Sequence, residues 1–227
     1  MKVLLMAGVS TLMLSTAAHA ADVAASEVPP TDNLWYVSLF GGASLAHDVK
    51  TVVNGAAYSL DYSLDLNTGF VIGGAIGRRI NDAFRVEGEL SYARYKANSY
   101  TDWKGDTYSA SGHLSATYLL ANVWADVARF GQATIYAGGG LGAAYVTADT
   151  DFNGIGWGYG KGEWGVAGQL GAGVTYAVAQ NIDLDFGYRF KAVSGIAFED
   201  INAAYDEPYT GGDLYTHNLQ LGITAKF

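Results

Sequence analysis

The feature that most constrains this chain is an alternation of apolar and polar residues that recurs along nearly its whole length. Residues 216–227 show it in its simplest form. His217, Leu219, Leu221, Ile223, Ala225 and Phe227 share one face, while Asn218, Gln220, Gly222, Thr224 and Lys226 share the other. A period of two marks a β-strand with one apolar side. Seven further stretches repeat it. Trp35, Val37, Leu39 and Leu45 oppose Tyr36, Ser38, Phe40 and Ser44; Phe70, Ile72 and Ile76 oppose Val71, Gly73 and Ala75. Phe84, Val86, Leu90 and Tyr92 oppose Arg85, Glu87, Glu89 and Ser91. The stretches 111–127, 134–146 and 164–176 follow, the first being the least regular, with Trp124 joining Asn122 and Asp126 on the polar side. The cleanest sets Ile182, Leu184, Phe186, Tyr188 and Phe190 against Asp183, Asp185, Gly187, Arg189 and Lys191.

The links between these stretches are of two kinds. Those around Asn81–Asp82, Gly131 and Asn181 are short and built from turn residues. Those near 46–65, 97–110, 148–162 and 193–213 are long and polar, and read as loops. Alternate short and long links suit an up-and-down meander with every long link at one end. Periodicity alone does not say whether the apolar face meets lipid or a core. Composition does, because the opposite face mixes Gly, Ser and Thr with charges, a poor interior for a soluble sandwich or lipocalin-like barrel. Aromatic residues also gather near strand ends, at Trp35, Phe84, Tyr176 and Phe227 and again at Tyr92, Tyr145 and Trp164. Such girdles form where amphipathic rings sit at lipid headgroups. A pair of membrane helices over 131–148 and 164–182 is disfavoured, since both stretches are crowded with Gly and run into the Asp183/Asp185/Arg189 alternation. The expected fold is all-β, an eight-stranded antiparallel up-and-down transmembrane β-barrel over residues 34–227.

Ahead of it, Lys2, an uncharged run from Val3 to Leu14 and a small-x-small ending at Ala18 and Ala20 form a secretory signal peptide over 1–20. Residues 21–33, with Pro29 and Pro30, read as an extended tail. There is no Cys, so export to an oxidising compartment adds no disulfides to the fold. A net charge of −9 argues against nucleic acid as a partner.

The Trp35–Tyr36–Val37 opening, Phe84–Arg85–Val86–Glu87–Gly88–Glu89, Asp185–Phe186–Gly187–Tyr188–Arg189–Phe190 and the terminal Phe227 resemble the OmpA-like, opacity-type outer-membrane β-barrel family. The resemblance implies surface loops, periplasmic turns and a C-terminal aromatic, Phe227, recognised by the barrel-assembly machinery. It implies outer-membrane lipids, lipopolysaccharide and host surface molecules as partners. The chain differs from two-domain relatives in stopping at the eighth strand, so cell-wall tethering through a peptidoglycan-binding domain is not expected. Contact with host molecules would fall to loop aromatics: Tyr58, Tyr62, Tyr100, Tyr108, Trp157, Tyr159, Tyr205 and Tyr209.

Little in the sequence points to chemistry. His47, His113 and His217 lie on separate elements without metal-ligand spacing, and no nucleophile elbow or phosphate loop occurs. A lipid hydrolase would have to pair one of these histidines with Ser44, Ser111 or Ser115. Asp149, Asp151, Asn153 and Gly154 match half of a calcium loop, but Gly160 stands where its twelfth-position Glu belongs. Acidic residues Glu199, Asp200, Asp206, Glu207 and Asp213 read as a solvated loop, or as a site for divalent ions bridging to lipopolysaccharide. No cofactor, metal or catalytic residue is assigned. The constellation that stands out is the set of inward charges: Arg85, Glu87, Glu89, Asp126, Asp183, Asp185, Arg189, Lys191 and Lys226. In so narrow a barrel they are expected to pair as a structural plug, the alternative being a gated path for small solutes or ions.

Overall fold

A computed structural model describes residues 35–54, 59–152, 159–160, 162–200 and 210–227. The expected leader with Ala18 and Ala20 and the tail over 21–33 lie outside them. Eleven strands are found among the described residues: β1 (Trp35–Ala46), β2 (Val49–Asn54), β3 (Ser59–Leu66), β4 (Gly69–Arg79), β5 (Phe84–Thr101), β6 (Thr107–Phe130), β7 (Ala133–Phe152), β8 (Tyr159–Gly160), β9 (Gly162–Ala179), β10 (Ile182–Asp200) and β11 (Thr210–Lys226). No helix there is long and apolar enough to cross a membrane.

Eight of these strands close a ring in the order β1-β4-β5-β6-β7-β9-β10-β11, each antiparallel to its neighbours. The seam is made by the first and last strands, paired from Tyr36↔Lys226 to Ala46↔Thr216. Closure leaves no sheet edge in the membrane, where an unpaired backbone N–H or C=O has no water to bond. At the rim that carries the short turns the Phe227 N–H donates to the Trp35 carbonyl at 2.9 Å, and the Trp35 N–H donates to the Phe227 carbonyl at 3.2 Å.

Inward and outward faces fall as the alternation requires. Leu39, Ile72, Leu90, Leu119, Leu141, Val166, Leu170, Phe186 and Leu221 are exposed, whereas Tyr36, Arg85, Glu89, Asn122, Trp124, Arg189 and Lys191 are buried. On β10 the outward residues from Ile182 to Ala192 cover about 33 Å of strand, hence about 25 Å of bilayer at a tilt near 40°. Aromatic contacts ring the outer boundary of this band, with Phe70–Tyr92 centroids 6.2 Å apart and Tyr145–Trp164 centroids 5.3 Å apart.

The long links depart from their reading as loops. β5, β6, β7, β10 and β11 run on through most of 97–110, 148–152 and 193–213, and β2 and β3 form a hairpin inside 46–65. Where β1 and β4 end, that hairpin takes their place in the wall: β2 pairs with β11 and β3 with β5. The wall therefore continues beyond the membrane. What misled the sequence reading is a reversal of the alternation. Above the aromatic girdle the inward residues become apolar (Leu64, Tyr95, Tyr100, Leu114, Val146, Ile196, Leu214), and together with smaller neighbours they form one buried cluster. The outward residues there become polar, as at Asn98, Ser109, Ser111, Asp149 and Ser194. Water replaces lipid outside, so the apolar face must turn inward. Tyr100, expected as a contact residue on a loop, is fully buried in this cluster, and Tyr108 is packed against it. The side chains of the other loop aromatics named above lie outside the described residues.

A charge inserted into the lipid-facing band should be far costlier than one on the extension. Leu170→Arg, midway along β9, is expected to destabilise the barrel by about 2–4 kcal/mol, and Ser109→Arg by no more than about 0.5 kcal/mol. Reversible denaturant unfolding in lipid vesicles measures both.

Candidate functional site

The inward side chains of the membrane-spanning half form three polar tiers beneath the apolar cluster. Nearest the rim of short turns, the nearly buried Asp126 accepts from Arg79 at 2.8 Å and Arg129 at 3.3 Å, and Arg85 Nε stands 3.7 Å away. Arg129 also donates to the Asp82 carbonyl, tying the β4–β5 turn to the foot of β6. On the opposite wall Lys226 pairs with Asp183 at 2.8 Å. Asp126 lies on the inward side of β6 with Asn122 and Trp124, just before a register shift between Asp126 and Ala128.

The middle tier is organised by two rings. Trp124 and Tyr136 meet edge to face with centroids 5.6 Å apart. The Arg85 guanidinium lies 4.5 Å from the Tyr136 centroid and that of Arg189 4.2 Å from the Trp124 centroid. Tyr136 Oη donates to Asp185 at 3.0 Å and accepts from Arg189 at 2.7 Å. Glu87 accepts from Tyr36 Oη at 2.9 Å and from Trp124 Nε1 at 2.8 Å. Space for these large groups comes from glycines facing them: a Cβ on Gly77 would stand 2.2 Å from the Tyr36 ring, and one on Gly173 2.5 Å from Tyr136 Oη.

The uppermost tier holds the most buried charges. Glu89 accepts from Lys191 Nζ at 2.6 Å, Ser91 Oγ at 2.7 Å, Gln169 Nε2 at 2.6 Å and Asn122 Nδ2 at 3.0 Å. Lys191 donates as well to Ser91 Oγ at 2.8 Å and sits 4.6 Å from the Tyr118 centroid. This is the one direct carboxylate–cation bridge across the lumen between β5 and β10 among the described residues. Of the other sequence-derived charges, Lys226 pairs with Asp183 and Arg85 stands beside Asp126, whereas Glu87, Asp185 and Arg189 share the same interior without a direct ion pair among the described residues. Arg85 and Glu87 are served by aromatic partners, and Asp185 reaches Arg189 through Tyr136. Those mediators, Tyr36, Ser91, Trp124, Tyr136 and Gln169, along with Arg79 and Arg129, were missing from the expected set. A search for charges passes over neutral groups whose only sign is an inward position in the alternation.

With these side chains in place, the lumen retains a cavity of about 30 Å³ bordered by Arg85, Glu87, Glu89, Asp185 and Arg189. That volume takes one or two waters. Above it the apolar cluster closes the barrel toward the outside.

Outside the lumen, the topology brings together two histidines that are far apart in sequence. His47, in the corner between β1 and β2, and His217 on β11 place their Nε2 atoms 2.8 Å apart, and Tyr188 Oη lies 2.6 Å from His217 Nδ1. Ser44 faces inward and bonds Tyr95 and Asn218. Asp149 and Asp151 point outward from β7, whereas Asn153 and Gly154 lie outside the described residues. No group of three or more metal-ligating side chains occurs among the described residues. Asp213, from the acidic stretch, accepts from Ser194 and Tyr215.

A family model described as outer membrane protein beta-barrel domain matches residues 7–227. An uncharacterized protein of Brucella abortus is 30% identical over 163 residues, which cover 60% of this chain and 55% of that protein. The chain thus spans about half the length of that curated relative. A Rickettsia massiliae protein, described as a candidate adhesin, is 25% identical over 98% of this chain and 97% of its own length. Among solved structures, the outer membrane protease OmpT from Escherichia coli superposes with a TM-score of 0.54 at 11% identity, covering 88% of this chain and 99% of that one. That is a likeness of fold.

If the upper tier is a mutually satisfied unit, removing one partner strands a buried charge. Glu89→Ala is expected to cost about 3–5 kcal/mol, while the paired change Glu89→Gln with Lys191→Met costs far less. Unfolding in vesicles by urea separates the two outcomes.

Proposed function

The chain belongs to the outer membrane protein β-barrel family, and on that premise we propose that it is a structural, non-enzymatic barrel that presents a rigid rim for surface contact. It resides in the outer membrane. The observation that carries the proposal is how the described side chains occupy the lumen: polar tiers in the membrane, an apolar core above them, and between the polar side chains a cavity with room for one or two waters. A wall packed in this way holds the outer hairpins in fixed positions. The hairpin between β5 and β6 carries an exposed Trp103 at its tip, with Lys104 Nζ 5.0 Å from the ring centroid. Similarity over nearly the full chain to a candidate adhesin supports host surface molecules as partners of the rim. Contact with lipopolysaccharide and other outer-membrane lipids follows from the lipid-facing band, and Phe227 would serve the assembly machinery as its recognition residue. The lumen charges Arg85, Glu87, Glu89, Asp126, Asp183, Asp185, Arg189, Lys191 and Lys226 act in this reading as a plug, not as a conduction path.

Three measurements test it. The intact barrel in planar bilayers should give no stable single-channel steps; steps that Glu89→Ala alters would replace the plug with a gated path. Bacteria displaying the chain should adhere to host cell monolayers, and replacing residues 102–106 by a Gly–Ser turn should reduce adherence severalfold without changing surface amount. Deleting Phe227 should lower the outer-membrane level of the protein, as measured by its heat-modifiable migration on gels. An undiminished level would remove Phe227 from the assembly signal.

A further inference from the structure

The described basic side chains are nearly all accounted for. Arg79, Arg85 and Arg129 surround Asp126; Arg189, Lys191 and Lys226 are held in the lumen; Arg78 lies 5.5 Å from the Trp35 centroid at the periplasmic rim. Lys104 sits over Trp103 at a hairpin tip. Two remain. Arg94 and Lys96 are exposed on the outer face of β5, and among the described residues their side chains have no hydrogen bond, ion pair or ring contact. They are the next two outward residues beyond Tyr92, which belongs to the outer aromatic girdle and contacts Phe70. On the neighbouring strand Lys96 is paired in register with His113, likewise exposed and outward, and Arg94 with Ser115.

Position decides what such a pair can meet. Two residues along a strand rise about 5 Å along the membrane normal at a tilt near 40°. Arg94 and Lys96 therefore stand about 5 and 10 Å beyond Tyr92, the first within the headgroup layer of the outer leaflet and the second at its outer margin, from which its long side chain can reach back. Neither forms a salt bridge with a carboxylate among the described residues. Asp65 is engaged by Asn98 at 2.7 Å, and Asp149 is paired in register with His113, one strand further from β5. In a chain with 22 acidic residues against 13 basic ones, two cations at neighbouring depths on one strand, without ion-pair partners among the described residues, form a local positive patch. We propose that Arg94 and Lys96, with His113 at their flank, bind the phosphate groups of a phosphorylated lipid headgroup in the outer leaflet. The girdle below, with Phe70 and Tyr92, would pack against the acyl chains of the same lipid. The proposal rests on the outer-membrane placement and is independent of what the rim binds, so failure of the adhesion test leaves it standing.

The test uses the full chain refolded in zwitterionic detergent and titrated with a diphosphorylated glycolipid, retention being read by native mass spectrometry. The same lipid after dephosphorylation is the reference. Arg94→Gln with Lys96→Gln should weaken retention of the phosphorylated lipid about 30-fold, since each base near an anionic surface contributes about a factor of five. It should leave the dephosphorylated lipid unaffected. Both side chains are exposed, so heat-modifiable migration should be preserved; if the double variant does not refold, Lys96→Gln alone should show the fivefold loss. Lys104→Gln removes the same charge away from the membrane and should behave as the unaltered chain. Equal retention by the double variant overturns the proposal. So does an equal loss in Lys104→Gln, a loss that persists with the dephosphorylated lipid, or tighter binding through these bases to a soluble sulfated polysaccharide than to the lipid.

Discussion

Hydrocarbon offers no partner to a peptide group, and the rest of this structure depends on that constraint. Eight strands satisfy every backbone donor and acceptor only by joining the first to the last, as the Tyr36↔Lys226 to Ala46↔Thr216 seam does. Closing so few strands leaves an interior just wide enough for side chains. Charges on that side must then find partners at close range, because burying them unpaired would cost several kcal/mol each. Glu89 meets this demand with four donors and Asp126 with three guanidinium groups, so the polar filling follows from closure.

The same wall passes through two solvents. Over the lower part of each strand the outside is lipid and the inside polar; over the upper part the outside is water and the inside apolar. β5 carries the change within a few residues: Glu89 and Ser91 face inward below, and Tyr95, Ala97 and Tyr100 above. The upper half thus resembles a soluble barrel stacked on a membrane barrel, sharing strands and backbone hydrogen bonds. That arrangement stiffens the outer hairpins and seals the lumen from outside. It leaves the small remaining cavity among the polar tiers, toward the periplasmic end.

The extent to which the fold was legible in sequence varies along the strands. Between the girdles every inward and outward assignment rests on a two-residue period, and the structure places Trp35, Phe70, Leu90, Val123, Leu141 and Leu221 outward as that period requires. The turns at Asn81, Gly131 and Asn181 were equally plain. Beyond the girdle the period persists but its polarity flips, so segments such as 97–110 look like polar loops although they are strands. The candidate site was legible as a list of inward charges. Its pairing was not, since Tyr136, Trp124 and Gln169 carry no charge to mark them as mediators.

By itself the sequence determined the strand period, the identity of the lipid-facing side and the up-and-down order, because these depend on each residue's neighbours two positions away and on nearby turn residues. Only the tertiary structure decided which charges meet, that His47 lies against His217, and that the Arg94 and Lys96 side chains are left without partners among the described residues. Such pairings depend on the stagger between strands around the closed ring, a quantity set by the whole sheet at once. No local stretch of sequence contains it.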